Sequence, residues 1–411
     1  MTRKILTYIL LLAALTACHK SHEEEEQLSE RTVLIYMSGE NNLTYTAGED
    51  LREILRADIN AKDDYLLVYV DQLSSTRMPY LARVRNGRLV DSVSVADMGI
   101  SDSDPYSSDP AVMSAVMSYA FQKYPSRNYD YGLVLWGHAS GWVIENDTIA
   151  TEPAAASARR RAYGIDGGDD SGEASIGSRW MNISQLAEAL LRGPHLKFIL
   201  ADCCNFQCLE SLYELRHTAD YIIGSPAEIP DVGAPYATLV PALFDRDSFY
   251  VSIVDRYYEQ VIDGTKRTPL SVVKTSEMDQ LATATRDVLL SMRDTLRTTN
   301  YPNVKGLIHY YYSPLFNDAN DFVLRYATPE AYATWKAAFD RAVIVKKMAT
   351  RWTTNINWSN YSDFTMTEER YGGVSMFVPV SPSTNFNYYN YNRNIGLTAW
   401  YAAAGLSELG W

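Results

Sequence analysis

Two stretches decide the reading of this chain: Leu133-Val134-Leu135-Trp136-Gly137-His138, and Phe198-Ile199-Leu200-Ala201-Asp202-Cys203-Cys204. Each opens as an unbroken apolar run of strand length. A strand with one wet face alternates apolar and polar residues, so runs like these belong to strands covered on both faces. Each run then ends on residue types that do chemistry. In a parallel sheet the carboxyl ends of the strands share one edge, and that edge is where active groups collect.

Working outward, Thr32-Val33-Leu34-Ile35-Tyr36-Met37 is another buried strand, and 65–70 and 221–224 read the same way. Helices are expected over 45–54, over 110–124 with Asp109 as cap and Pro110 in the first turn, and over 209–216. Apolar strands alternating with helices imply a mostly parallel α/β sheet with helices on both faces. Asn86-Gly87 between the runs 78–85 and 89–95 predicts a tight hairpin. Residues 145–178 are rich in Ala, Gly, Ser and Asp and hold Arg159-Arg160-Arg161, which reads as a long loop or insertion. From 244 onward the pattern is more helical, with helices expected over 248–263, 277–297 and 335–352. Gly373-Val374-Ser375-Met376-Phe377-Val378-Pro379 is strand-like. The expected organisation is a catalytic domain over 31–243 and a C-terminal α+β subdomain over 244–411 packed on it.

His138 follows a buried strand and sits among glycines that let the backbone turn and a substrate approach. Cys204 follows another such strand, with a helix expected after it. A neighbouring imidazole and the positive end of a helix both favour a thiolate, the form in which cysteine is a nucleophile. Beyond Cys18 the only cysteines are Cys203, Cys204 and Cys208. Their clustering argues against a disulfide framework. Zinc held by these thiols with His195 or His217 is the weaker alternative. Adjacent cysteines on a strand point to opposite faces, and there is no Cys-x-x-Cys pair. Taken alone, a His and a Cys at strand ends also fit structural roles, and the residue pattern leaves that alternative open.

These strand ends resemble the clostripain family of cysteine peptidases, relatives of the caspases and gingipains. The first family motif is matched by Leu135-Trp136-Gly137-His138 with Gly141-Trp142. The second is matched by Asp202-Cys203-Cys204 with Glu210 in the following helix. The opening strand with Asn41-Asn42-Leu43, the block from Tyr221 through Ser225, Glu228 and Pro230 to Tyr236, and the block 373–379 match in the same order. The resemblance implies a caspase-like sheet and endopeptidase activity. It assigns Cys204 as nucleophile and His138 as base. The backbone N–H groups of Gly137 and Cys204 are then expected to hold the oxyanion. It further implies that Asp202, aided by Ser225 and Glu228, shapes a pocket for Arg or Lys before the scissile bond. The other reading of Asp202 is a cap for the following helix. Self-cleavage at Arg159, Arg160 or Arg161 is also known in the family. The sequence requires no cofactor, and the resemblance admits calcium. Two departures stand out: Cys203 replaces the family's usual Ala, and Asn205-Phe206-Gln207 replaces its usual helix start. The rival class is a catalytically silent lipoprotein that binds peptides or host proteins on a peptidase scaffold; intact His138 and Cys204 weigh against it.

The amino-terminal segment belongs to targeting rather than fold. Arg3 and Lys4 precede an apolar run over 5–15, and Leu15-Thr16-Ala17-Cys18 looks like a bacterial lipobox. The expectation is a signal peptide over 1–17, a lipid on Cys18, and an acidic tether over 18–30 that contains four consecutive Glu. That puts the protein in the cell envelope, anchored to the outer membrane. The net charge of −13 argues against nucleic-acid binding.

Overall fold

The computed structural model describes residues 28–59, 63–74, 77–143, 163–167, 179–262, 264–297, 302–311, 315–352, 365–379 and 391–411. Five of its strands are parallel: β1 (Arg31–Gly39), β2 (Asp64–Gln72), β5 (Tyr131–Gly137), β8 (Leu196–Asp202) and β9 (Ala219–Gly224). A hairpin of β3 (Tyr80–Arg85) and β4 (Arg88–Ser94) extends the sheet beyond β2. Its turn residues Asn86 and Gly87 both have positive φ, 50° and 70°, as a type I′ turn requires. Beyond β9, β10 (Leu270–Lys274) and β12 (Val343–Lys347) add antiparallel, while the short β11 (Asn317–Asp318) lies outside this sheet. The nine strands run in the order β12-β10-β9-β8-β5-β1-β2-β3-β4.

Side chains of the central strands alternate between two cores. Leu34, Tyr36, Leu133, Leu135, Ile199 and Ala201 face one, with α2 (Pro110–Lys123), α3 (Ile183–Leu191), α4 (Leu209–Glu214) and α7 (Met278–Ser291). Val33, Ile35, Met37, Val134, Trp136, Phe198 and Leu200 face the other, with α1 (Thr44–Arg56), α5 (Tyr236–Ala242) and α6 (Phe249–Glu259). That explains the unbroken apolar runs: each strand buries both faces, at about 1.5–3 kcal/mol per large apolar side chain. Helix α2 starts as expected, with the Asp109 carboxylate accepting from Ala111 N–H at 2.8 Å.

The sheet continues past residue 243, since β10 and β12 come from the C-terminal part. Two expectations need correction. The helix expected over 335–352 ends early: α8 (Pro329–Ala342) gives way to β12. Val343-Ile344-Val345 is a β-branched run, and pairing with β10 outweighs helical continuation. Residues 145–178 are also not all loop. They hold β6 (Tyr163–Asp166), paired with β7 (Arg179–Met181). The fully buried Tyr163 donates its hydroxyl to the carbonyls of Tyr36 and Trp136, at 3.2 and 3.1 Å. Arg159, Arg160, Arg161 and Cys18 lie outside the described residues. Among the described residues, no helix is long and apolar enough to cross a membrane.

Candidate active site

The pairing of β5 with β8 ends at Trp136 and Asp202, and His138 and Cys204 are each the second residue beyond that pair. The two parallel strands thus deliver both side chains to the same edge of the sheet. Gly137 makes the bend between strand and His138. Its φ is +140°, and a Cβ there would lie 2.8 Å from the carbonyl oxygen of Ser38. The His138 carbonyl then accepts from Gly164 N–H at 2.8 Å, which fixes the turn against β6.

The His138 ring is half-buried, and burial lowers its pKa to about 4, so it is neutral at pH 7. Its Nε2 lies 2.7 Å from Asn42 Oδ1. With the amide oxygen turned toward the ring, Nε2 carries the proton and Nδ1 keeps the basic lone pair. Asn42 appeared in the sequence reading only as part of a block, without a role. Nothing in the chain spacing signals this contact, because it joins the loop after β1 to the end of β5.

Cys204 is half-buried, while Cys203 and Cys208 are buried. Burial pushes the Cys203 and Cys208 thiols up, and Cys208 donates to Ser211 Oγ at 3.1 Å. Cys203 packs in the core, as expected for the neighbour of an outward-facing residue. The helix end expected beside Cys204 is absent. The chain turns through Asn205, at φ 55°, and α4 begins only at Leu209. Cys204 Sγ instead meets the backbone of Ile229, accepting from its N–H at 3.3 Å and donating to its carbonyl at 3.8 Å. The turn presses on the segment after His138: a Cβ on Gly141 would sit 2.5 Å from the Asn205 carbonyl oxygen. Only glycine fits there.

Asp202 closes β8 and is 4% exposed. It caps no helix. Its Oδ1 accepts from Tyr257 hydroxyl at 2.5 Å, and its Oδ2 from Tyr236 hydroxyl at 2.8 Å and Ala234 N–H at 3.2 Å. Burial still raises its pKa above the usual range, against those bonds. Asp50, also buried, accepts from the Trp136 indole at 2.7 Å. Burial first, then the Asp202 charge, push Asp50 up to about 8. Ser225 is fully buried, its hydroxyl accepting from Ala227 N–H at 3.0 Å. Glu228 is buried next to Ile229. Both build the loop that backs Cys204.

Comparison with known proteins now decides the family. The model of the clostripain family matches residues 35–409, nearly the whole chain. The chain belongs to the clostripain family. It is a cysteine-type peptidase. A search of curated proteins returns no match. Among solved structures, the chain is similar to a secreted C11 cysteine protease from Bacteroides thetaiotaomicron, bound to an irreversible peptide inhibitor. The identity is 31%, the TM-score 0.72, and the match covers 92% of this chain and 100% of that one. It is also similar to an inactive zymogen C11 protease from Parabacteroides distasonis, at 25% identity and TM-score 0.69, covering 92% and 99%.

In this clostripain-family chain the C-terminal block completes the turn after Cys204. Gln207 O accepts from Ser375 N–H at 2.9 Å. Glu210, fully buried in α4, accepts from Phe377 N–H at 2.8 Å. Burial raises Glu210 to about 7. This is the physical content of the motif glutamate: it bonds a distant segment rather than substrate. The candidate zinc ligands separate. His195 precedes β8 and contacts Asp220 at 2.9 Å, whereas the cysteines follow that strand at its other end.

Proposed function

We propose that this peptidase cleaves after Arg or Lys with Cys204 as nucleophile and His138 as proton carrier. The observation that supports it best is that the half-exposed thiol stands at the same sheet edge as a neutral imidazole whose Nδ1 is left basic. Cys204 gives its proton to His138 and its sulfur attacks the scissile carbonyl carbon. Backbone N–H groups, Gly137 and Cys204 being the candidates, hold the oxyanion. His138 passes the proton to the amine as the C–N bond breaks, leaving a thioester. Water attacks the thioester, the imidazole takes its proton, and the acid and free thiol are released.

The preference for Arg or Lys rests on the Asp202 carboxylate behind this edge, which pairs with a cation nearby. The same preference would let the enzyme cut itself at Arg159, Arg160 or Arg161, between the segments carrying His138 and Cys204. A relative crystallised as a zymogen agrees with activation by cleavage. Lipid on Cys18 would hold the enzyme in the envelope, where protein and peptide substrates reach it.

The deciding test is hydrolysis of fluorogenic peptides varied at the residue before the cut. Cys204→Ala and His138→Ala should abolish it, and Cys203→Ala should not. A dead Cys203→Ala with an active Cys204→Ala reverses the nucleophile. Preference for Asp or apolar residues overturns the specificity. Gel analysis beside Cys204→Ala, with N-terminal sequencing, reads self-cleavage, and fractionation of Cys18→Ser reads anchoring.

A further inference from the structure

Asn42 meets one edge of the His138 ring, and an indole stands against the same ring from another element. The Trp180 ring centroid lies 6.4 Å from that of His138, with the two planes tilted by 39°. That separation is within the range over which aromatic rings pack. Trp180 is the middle residue of β7 and is half-buried. Its neighbours on the strand are engaged elsewhere. Met181 is fully buried in the core that holds Leu34 and Leu133. Arg179 lays its guanidinium over the Tyr106 ring, 4.2 Å from the centroid, and its carbonyl accepts from the Ser108 hydroxyl at 3.0 Å. Successive side chains alternate across a strand, so anchoring Arg179 and Met181 on one side turns Trp180 to the other, toward the imidazole.

The hairpin that carries Trp180 is also tied to the His138 segment. Trp180 pairs with Ile165 of β6. The next contacts of β6 are with the turn itself: Ala139 bridges Tyr163, and Gly164 N–H bonds the His138 carbonyl. An indole on a strand held this firmly offers a large flat surface and gives up little freedom when a ligand packs on it.

We propose that Trp180 is a specificity-determining residue that receives the side chain of the residue after the cut and favours apolar, above all aromatic, side chains there. This rests on the reading of Cys204 and His138 as the reacting pair. In that reaction the imidazole hands its proton to the departing amine. The amine nitrogen must approach the ring, so the chain it carries leaves along the imidazole side of the site. The half-exposed indole against that ring is the surface it meets. Trp180 and Asp202 serve different residues of one peptide, because they belong to opposite faces of the sheet. The tyrosine partners of Asp202, Tyr236 and Tyr257, pack in one core, whereas the Trp180 hairpin packs through Tyr163 and Met181 in the other. An anionic side chain on the indole would meet the negative face of the ring and lose water without gaining a partner. Glycine would leave the ring uncovered.

The test uses the full chain and quenched fluorescent peptides that differ only in the residue after the cut: Phe, Leu, Gly or Asp. In kcat/KM, wild type should prefer Phe to Gly by roughly tenfold, with Leu between them and Asp last. Trp180→Ala should bring the ratio of Phe to Gly within about twofold, since the packing surface is gone. Trp180→Leu keeps an apolar side chain on β7. It should hold Leu above Gly and lose the advantage of Phe over Leu, and it gives the reading should Trp180→Ala fail to fold. Variants that slow every peptide by one factor, with the ranking intact, would show that Trp180 only positions His138 and would overturn the subsite. So would a wild type that cuts the Gly and Phe peptides equally well. Should wild type cut none of them, the reading of Cys204 and His138 fails, and fluorescence anisotropy of the labelled peptides decides Trp180 by itself. Tighter binding of Phe than Gly by wild type, lost in Trp180→Ala, then upholds the subsite, and equal binding by wild type overturns it.

Discussion

Two groups of buried carboxylates flank His138, and they differ in how they are satisfied. On the Cys204 side, both oxygens of Asp202 accept bonds, from two tyrosine hydroxyls and a backbone N–H, and Asp50 accepts from an indole. On the β1–β2 side, Asp71 is equally buried and has no donor among the described residues. Burial alone would treat the two alike. The hydrogen-bond inventory separates a preorganised polar wall from a carboxylate pushed up by burial and by the neighbouring Asp166 and Glu40.

Four substitutions or measurements can break or sharpen that contrast. The largest effect is expected from Asp202→Asn. It removes the charge and leaves one acceptor oxygen where the two tyrosines used two, and should cost about 2–5 kcal/mol in kcat/KM for Arg and Lys substrates. Asp71→Asn should leave the ranking of substrates unchanged; if it reorders them, the two groups are not separate in function. Next is Asn42→Ala, expected to lower kcat about 10–100-fold with little change in KM, because the imidazole loses its orientation. Asn42→Asp should recover activity at neutral pH and move the acid limb of the profile upward, since a carboxylate favours imidazolium. If both variants behave like wild type, the contact is incidental.

A third prediction concerns the acid limb of wild-type kcat/KM. In the proposed mechanism His138 acts as base only when neutral, and burial lowers its pKa to about 4. Activity should persist well below pH 6.5 and fall as pH drops through about 4; a limb near 6.5 would show a solvated imidazole. The smallest effect is on stability. Folding raises Asp50 from 3.8 to about 8, so the folded chain binds more protons than the unfolded one across that window. Stability is then lost as pH rises between those values. The melting temperature of Asp50→Asn relative to wild type should therefore climb from pH 4 to pH 8. A pH-independent difference would remove the Asp202–Asp50 repulsion from the account.

Much of this architecture was legible because strands covered on both faces leave unbroken apolar runs. The strand ends at His138 and Cys204, the Asn86-Gly87 turn and the Asp109 cap are all local signals, and each was found where its residues stand. What escaped was non-local. β12 reads as the tail of a helix until β10 is beside it, and Tyr163 anchors a strand inside what composition marks as loop. The carboxylates of Glu40, Asp71 and Asp104 meet from three segments with no spacing rule, and Asn42 meets His138 across 96 positions. The surroundings of the Cys204 thiol were misread for a related reason: a strand followed by a helix suggested a dipole, and the intervening turn sets the thiol against the backbone of Ile229 instead.

The bond from Glu210 to Phe377 has a consequence for how the protein is made. A ribosome delivers the chain from its amino end, and Phe377 follows Glu210 by 167 positions. Until Ser375 and Phe377 emerge, Gln207 and Glu210 lack the N–H groups that pin the turn carrying Cys204. A nascent chain therefore holds every residue of its proposed reaction centre before it holds the segment that pins the turn carrying Cys204.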